Sequence, residues 1–265
     1  MNSNDETNVL ENNQLTLINV TDSNAIDKTL ENLSKPLADF LNFHQLPIKD
    51  VLAENKEKTK LFNSFNDAIE CLPLEERVKA KYLTKFVVAV AGGLFDGALS
   101  YLWNEAIKSI RELIVSYDLL YFYSVAEQKN SRYKNLRSED DLVYISDHDL
   151  LEISRRIGLI DDYGFQVLEN INYLRNHASS AHPNGNELTG IKLLSLLEDC
   201  IKYAILIEPN ISVVKIKQLF ENLRKNEIPF EDFEAIAIEL RKQPQIRIDD
   251  FLSSIFGLYC DEGKD

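Results

Sequence analysis

Residues 168–184 read LENINYLRNHASSAHPN, and within them a guanidinium and an imidazole stand seven positions apart, at Arg175 and His182. On one helix seven residues make almost two turns, so the pair shares a face with Cα atoms about 10 Å apart along the axis. Asn172, Asn176 and Ser179 fall on or beside that face, and Leu168, Ile171, Leu174 and Ala178 form a neighbouring apolar stripe. His182 precedes Pro183, and a residue before proline disfavours the α region, so the helix is expected to end there. The negative end of the helix dipole favours imidazolium, which lets His182 take or give a proton near neutral pH. Arg175 keeps its charge, and its planar fork can hold phosphate oxygens. A cation and an imidazole without metal ligands suit RNA cleavage by attack of the 2′-OH on the adjacent phosphate. One group accepts the hydroxyl proton, another protonates the leaving oxygen, and the arginine steadies the anion. His177 lies two positions beyond Arg175, about 200° round the helix, and is assigned to packing, an interface or substrate contact. An Arg and a His on one face are also common surface residues, so the surrounding elements have to carry the reading.

Those elements read as helices. Residues 1–24 are rich in Asn and Asp and are expected to be a flexible tail. Leu30, Leu33, Leu37, Phe40 and Leu41 recur at three- and four-residue steps, as in a helix that buries one face. Leu61, Phe62, Phe65 and Ile69 mark a second helix, and Pro73 followed by Glu75 and Glu76 marks the start of a third. From Leu99 to Ala126 the apolar spacing is helical without a Pro or Gly to interrupt it. Residues 129–141 read as a loop. Asp147 or Asp149 is expected to cap a short helix ended by Gly158, and Asp161 or Asp162 to precede the helix that carries Arg175. A turn at Pro183-Asn-Gly-Asn leads to a helix from Thr189 to about Glu208, and amphipathic pieces follow over 213–223, 230–240 and 248–258. No β alternation appears, and the expected class is all-α.

Several chemistries find no support. Cys71, Cys200 and Cys260 are odd in number and far apart, which fits a reducing cytoplasm rather than a disulfide scaffold. With four histidines and neither Cys-x-x-Cys nor His-x-x-x-His, no metal site is expected, and no cofactor. Gly92-Gly93-Leu-Phe-Asp-Gly97 matches no phosphate-binding loop and is assigned to helix packing or a kink. Acidic pairs such as Glu75-Glu76 and Asp161-Asp162 read as solvated faces or caps. Tyr117, Tyr121, Phe122 and Tyr123, with Trp103, read as core. The longest apolar run, residues 86–95, is too short for a membrane span of about 20 residues. Lys and Arg number 29 against 43 Asp and Glu, a net charge of −14, which disfavours a protein that coats nucleic acid with its whole surface. Between Tyr163 and Leu196, Arg175 and Lys192 balance Glu169 and Glu187, so the neighbourhood of the candidate site is neutral.

The stretch from Arg175 to His182 resembles the signature of the HEPN superfamily, an arginine and a histidine separated by four to six residues with a polar residue after the arginine. The helix over Ala98–Tyr117 is similar to the first helix of that family, Leu150–Ile160 and the Arg/His helix to its middle, and Gly190–Ile207 to its closing helix. The resemblance spans roughly residues 95–208. It implies a four-helix bundle that forms a homodimer, with additional helices over 25–94 and 209–265. It further implies a metal-independent endoribonuclease site shared by two protomers, which leaves 2′,3′-cyclic phosphate. Arg175 would bind phosphate and His182 would move the proton, while Asn176 would orient one or the other. Asn172, Ser179 and His177 would contact the RNA. Toxin or phage-defence biology follows from the same resemblance, with an antitoxin or defence-system protein as a partner class. The rival reading is a non-catalytic module that binds a nucleotide, RNA or protein.

Overall fold

The computed structural model describes residues 23–49, 51–177, 188–207, 211–225, 229 and 233–261. Among the described residues there are helices and turns and no strand, so the chain is all-α. The helices are α1 (Ser23–Phe43), α2 (Asn55–Glu70), α3 (Leu74–Lys79), α4 (Lys81–Gly92), α5 (Phe95–Tyr117) and α6 (Leu119–Lys129). They continue as α7 (Asp147–Arg156), α8 (Asp162–His177), α9 (Gly190–Cys200), α10 (Ile211–Lys225), α11 (Phe233–Leu240) and α12 (Gln245–Asp261). None is long and apolar enough to cross a membrane. Contacts group the chain into two compact units, Met1–Glu105 with Leu174–Glu198, and Ala106–Tyr173 with Asp199–Asp265.

In the first unit α1 packs on α2 and α4. Ile26 and Leu30 of α1 are buried, together with Leu61 of α2 and Phe86 and Val90 of α4. Lys58 is buried as well. Its ammonium donates to the Ser34 hydroxyl at 2.6 Å and to the Ala91 carbonyl at 3.4 Å, near the C-terminal end of α4 where carbonyls lack helical donors. The glycine pair ends α4. Gly93 has φ +84, its amide reaches the Val90 carbonyl at 3.0 Å, and the Leu94 amide reaches that of Ala89 at 2.9 Å. These two bonds satisfy terminal carbonyls, and a Cβ here would also meet the Ala53 backbone at 3.0 Å. The same device closes α1 with Gln45 at φ 56, the Leu46 amide returning to the Leu41 carbonyl at 2.9 Å.

In the second unit the expected long helix breaks once. Asp118 is extended, and its carboxylate accepts the Tyr121 amide at 2.9 Å, so it caps α6 from within an apolar run. Helix α7 is capped by Ser146, whose hydroxyl accepts the Asp149 amide at 3.2 Å, rather than by Asp147 or Asp149. It ends at Gly158, as the sequence implied, with φ +85. The span read as loop contains two short 3₁₀ turns, Ser131–Tyr133 and Glu139–Tyr144. Helix α12 packs on α6 and α7. Asp250 receives two hydrogen bonds from Arg156, one at 3.0 Å, and the rings of Tyr121, Phe220 and Phe251 follow one another at 4.6 and 4.9 Å.

Candidate functional site

Helix α8 carries the described half of the candidate site. Its buried positions are Gly164, Phe165, Leu168 and Ile171. Arg175 follows Ile171 by four residues and Leu168 by seven, so it continues the buried side of the helix. Its side chain is accordingly half-buried, whereas Asn176, His177 and Tyr173 are exposed and Asn172 is half-buried. The polar face expected for Arg175, Asn172 and Asn176 is thus divided, with Arg175 and Asn172 half-buried and Asn176 exposed. His182 and Ser179 lie outside the described residues.

The guanidinium carbon of Arg175 sits 5.7 Å from the centroid of Trp103, an indole with no exposed surface. A cation over an indole face is held by the ring quadrupole. Trp103 is core, as the sequence implied. Arg175 and His177 occupy the last described turn of α8, where the helix dipole favours cations. On the other side of the candidate motif, the Gly190 amide at the start of α9 donates to the Glu57 carboxylate at 2.9 Å, and Thr189 accepts the Lys192 amide at 3.2 Å. Lys60 and the Gly190 amide hold the Glu57 carboxyl below its ordinary range. A Cβ at Gly190 would fall 1.9 Å from the Glu57 carbonyl oxygen, so this approach requires glycine.

A second constellation went unseen in the sequence. His148 reaches the Glu169 carboxylate through Nδ1 at 2.8 Å and lies 3.5 Å from Glu152 through Nε2. Lys129 bridges Glu152 and Asp149, at 3.3 Å from the latter. Asp149 also accepts from Arg132 at 2.7 Å and from the Tyr133 hydroxyl at 2.5 Å. Burial raises the affinity of Asp149 for a proton, but hydrogen bonds from Tyr133, Ser146 and Lys129 outweigh it and hold the carboxyl below its ordinary value. Ligand atoms of His148, Asp149 and Glu152 lie within 4.8 Å of one another, the spacing of a metal centre. The Lys129 ammonium and Arg132 guanidinium already supply the positive charge a cation would bring, so the cluster reads as an internal ion network. A search by spacing could not find it, because Lys129, His148 and Glu169 stand about twenty residues apart in the chain.

The thiols have no shared site. Cys200 is buried, which pushes its thiol well above the ordinary value, and Cys71 and Cys260 are exposed and unpaired. The aromatic residues Tyr117, Tyr121, Phe122 and Tyr123 are buried, which removes them as a base-stacking platform. Compared with known proteins, the chain matches no family model, no curated protein and no solved structure.

Proposed function

We propose that the chain is a metal-independent endoribonuclease of the HEPN type that acts as a homodimer in phage defence or as a toxin. The observation that carries this reading is Arg175 itself, a cation set on the inner side of α8 against Trp103, one residue before Asn176 and seven before His182. The order of elements is compatible with it: α5, α7, α8 and α9 overlap the segments named for the resemblance, with α6 between the first two. In the proposed reaction the 2′-oxygen forms a bond to phosphorus as its proton leaves, and the bond to the 5′-oxygen breaks as that oxygen gains a proton. His182 handles a proton, Arg175 stabilises the phosphorane charge, and the products carry 2′,3′-cyclic phosphate and 5′-hydroxyl ends.

Purified full-length protein incubated with end-labelled RNA in EDTA tests this directly. Cleavage giving cyclic phosphate ends, lost in both Arg175→Ala and His182→Ala while the circular dichroism spectrum is kept, is the expected result. No cleavage by the wild type, or equal cleavage by His182→Ala, overturns it.

A second reading, a non-catalytic binding module, is favoured by the half-buried position of Arg175 and by the net charge of −14. Expression in a bacterium separates the two. Growth arrest by the wild type and not by His182→Ala supports the nuclease, and equal growth with both proteins soluble supports the module.

A further inference from the structure

The excess of acid in this chain is unevenly spread. Residues 77–95 are the longest stretch without an Asp or Glu, and they hold Arg77, Lys79, Lys81 and Lys85. The next longest, residues 170–186, holds Arg175. Residues 128–138 also carry cations and no acid, but the fold neutralises most of them. Lys129 reaches Glu152, Arg132 reaches Asp149 at 2.7 Å, and Arg137 reaches Glu127 at 3.8 Å.

The cations of the longer stretch are used differently. Arg77 donates to the Leu72 and Glu70 carbonyls, at 2.7 and 2.9 Å, and so closes the end of α2. Lys79 lies 3.4 Å from Glu76, an exposed pair of small energetic worth. Lys81 and Lys85 are exposed and stand one turn apart on α4, and among the described residues neither has a carboxylate partner. The Lys85 ammonium lies instead over two half-buried rings, 5.0 Å from the centroid of Tyr82 and 5.7 Å from that of Tyr101 on α5. Lys81 opens α4, whose first turn holds no acid and whose preceding residue, Ala80, makes no side-chain cap. A cation at that end of a helix is opposed by the dipole and gains from an anion. Glu105 meets this end from within: it is buried, and its carboxylate accepts the Tyr82 amide at 2.8 Å.

Ammonium groups a turn apart beside aromatic rings suit a single nucleic-acid strand, the cations taking phosphates and a ring taking a base. We propose that the outer side of α4, with Tyr101 of α5, is a contact surface for single-stranded RNA. Lys81 and Lys85 meet phosphates, and Tyr82 and Tyr101 receive a base. The surface belongs to the same compact unit as Arg175 and Trp103. It gives an acidic chain a local means of attracting RNA, and it rests on the nuclease reading for the identity of its ligand.

Fluorescence anisotropy with the full chain and a labelled 2′-O-methyl oligouridine of about 20 nucleotides tests it, in KCl from about 50 to 200 mM. This strand has no 2′-hydroxyl to attack, so binding is read apart from cleavage. Lys81→Ala with Lys85→Ala is expected to weaken binding about tenfold and to reduce the slope of log affinity against log salt by about 1.4, at about 0.7 per lost phosphate contact. Lys28→Ala with Lys35→Ala, the same charge change on α1, is expected to alter neither. Tyr82→Leu with Tyr101→Leu is expected to weaken binding about fivefold and to leave the slope unchanged. Should these variants fail to fold, the wild type irradiated with a 4-thiouridine strand decides, with attachment expected within residues 79–101. No binding at about 100 μM protein overturns the proposal, as do equal losses in the two lysine pairs or attachment only elsewhere. Lysine-dependent binding to vesicles of about 30% phosphatidylserine, without binding to the strand, also overturns it and makes this a membrane contact. Lysine-dependent binding by a chain that cleaves no ordinary RNA upholds this surface and removes the nuclease, whereas cleavage with binding indifferent to the lysines does the reverse.

Discussion

Charge is used in opposite ways around His148 and around Arg175. At the first, Asp149, Glu152 and Glu169 meet Lys129, Arg132, Tyr133 and His148, so each acid has a donor within the cluster. At the second, the guanidinium carbon lies 5.7 Å from the centroid of a buried indole, in the last described turn of α8. The cluster looks more like an active site by residue type, holding a histidine and three acids. Its cross-linked charges give it a structural role, and the Arg175 region keeps the candidacy that its motif gives it. Residue inventory and available chemistry are therefore different quantities, and geometry separates them.

The sharpest way to break this contrast is to exchange readouts. Arg175→Ala is expected to lower RNA cleavage about 10²–10³-fold, the usual consequence of removing one anion-stabilising donor, while costing only about 1 kcal/mol of stability. Initial rates and urea titrations on the same sample check both; unchanged rates would make Arg175 a packing residue. Asp149→Ala should do the reverse, leaving cleavage intact and costing about 2–4 kcal/mol, because the buried Tyr133 hydroxyl and the half-buried Lys129 ammonium lose a shared acceptor, as does the exposed Arg132. A urea-derived cost below about 0.5 kcal/mol would reduce the network to an ordinary surface pair.

The network also has a pH signature. With its folded-state affinity for protons held down, Asp149 contributes fully above the ordinary carboxyl value of 3.8 and loses that contribution as pH falls through the lower folded value. Thermal midpoints of the wild type should drop more steeply below about pH 4 than those of Asp149→Asn. Lys58 extends the comparison to a buried cation that has a hydroxyl and a carbonyl as partners and no carboxylate. Burial lowers its proton affinity, so wild-type stability should rise with pH toward the ordinary lysine value of 10.5, a rise absent from Lys58→Met. At pH 7, Lys58→Met should stay within about 1 kcal/mol of the wild type, whereas Lys58→Ala, which leaves a cavity, should not. The smallest effect is a calibration far from both regions: Gln45→Gly should gain about 0.5–1 kcal/mol by relieving a left-handed backbone, read as a rise in thermal midpoint.

Helix class and most boundaries were legible because they rest on local rules. Gly158 ends α7 and Thr189 stands at the start of α9 as the sequence implies. The break at Asp118 was hidden because an aspartate in an apolar run carries no Gly or Pro, and its role as a cap depends on a backbone turn that periodicity cannot show. Helix arithmetic placed Arg175 near Leu168 and Ile171 but could not decide which side faced inward. That choice depends on Trp103, seventy-two residues away in sequence. The His148 network was illegible for the same reason, since Lys129 stood in a span read as loop and Glu169 on a helix read for its arginine.

The meeting of Glu57 with Gly190 has a practical side. Residues 95–208 invite excision as a minimal fragment, yet the carboxylate that receives the first amide of α9 belongs to Glu57, 38 residues before such a fragment begins. A shortened chain beginning at residue 95 would release the near end of α9 just beyond the arginine–histidine motif. Inactivity of that fragment would then report a lost anchor rather than a missing catalytic group.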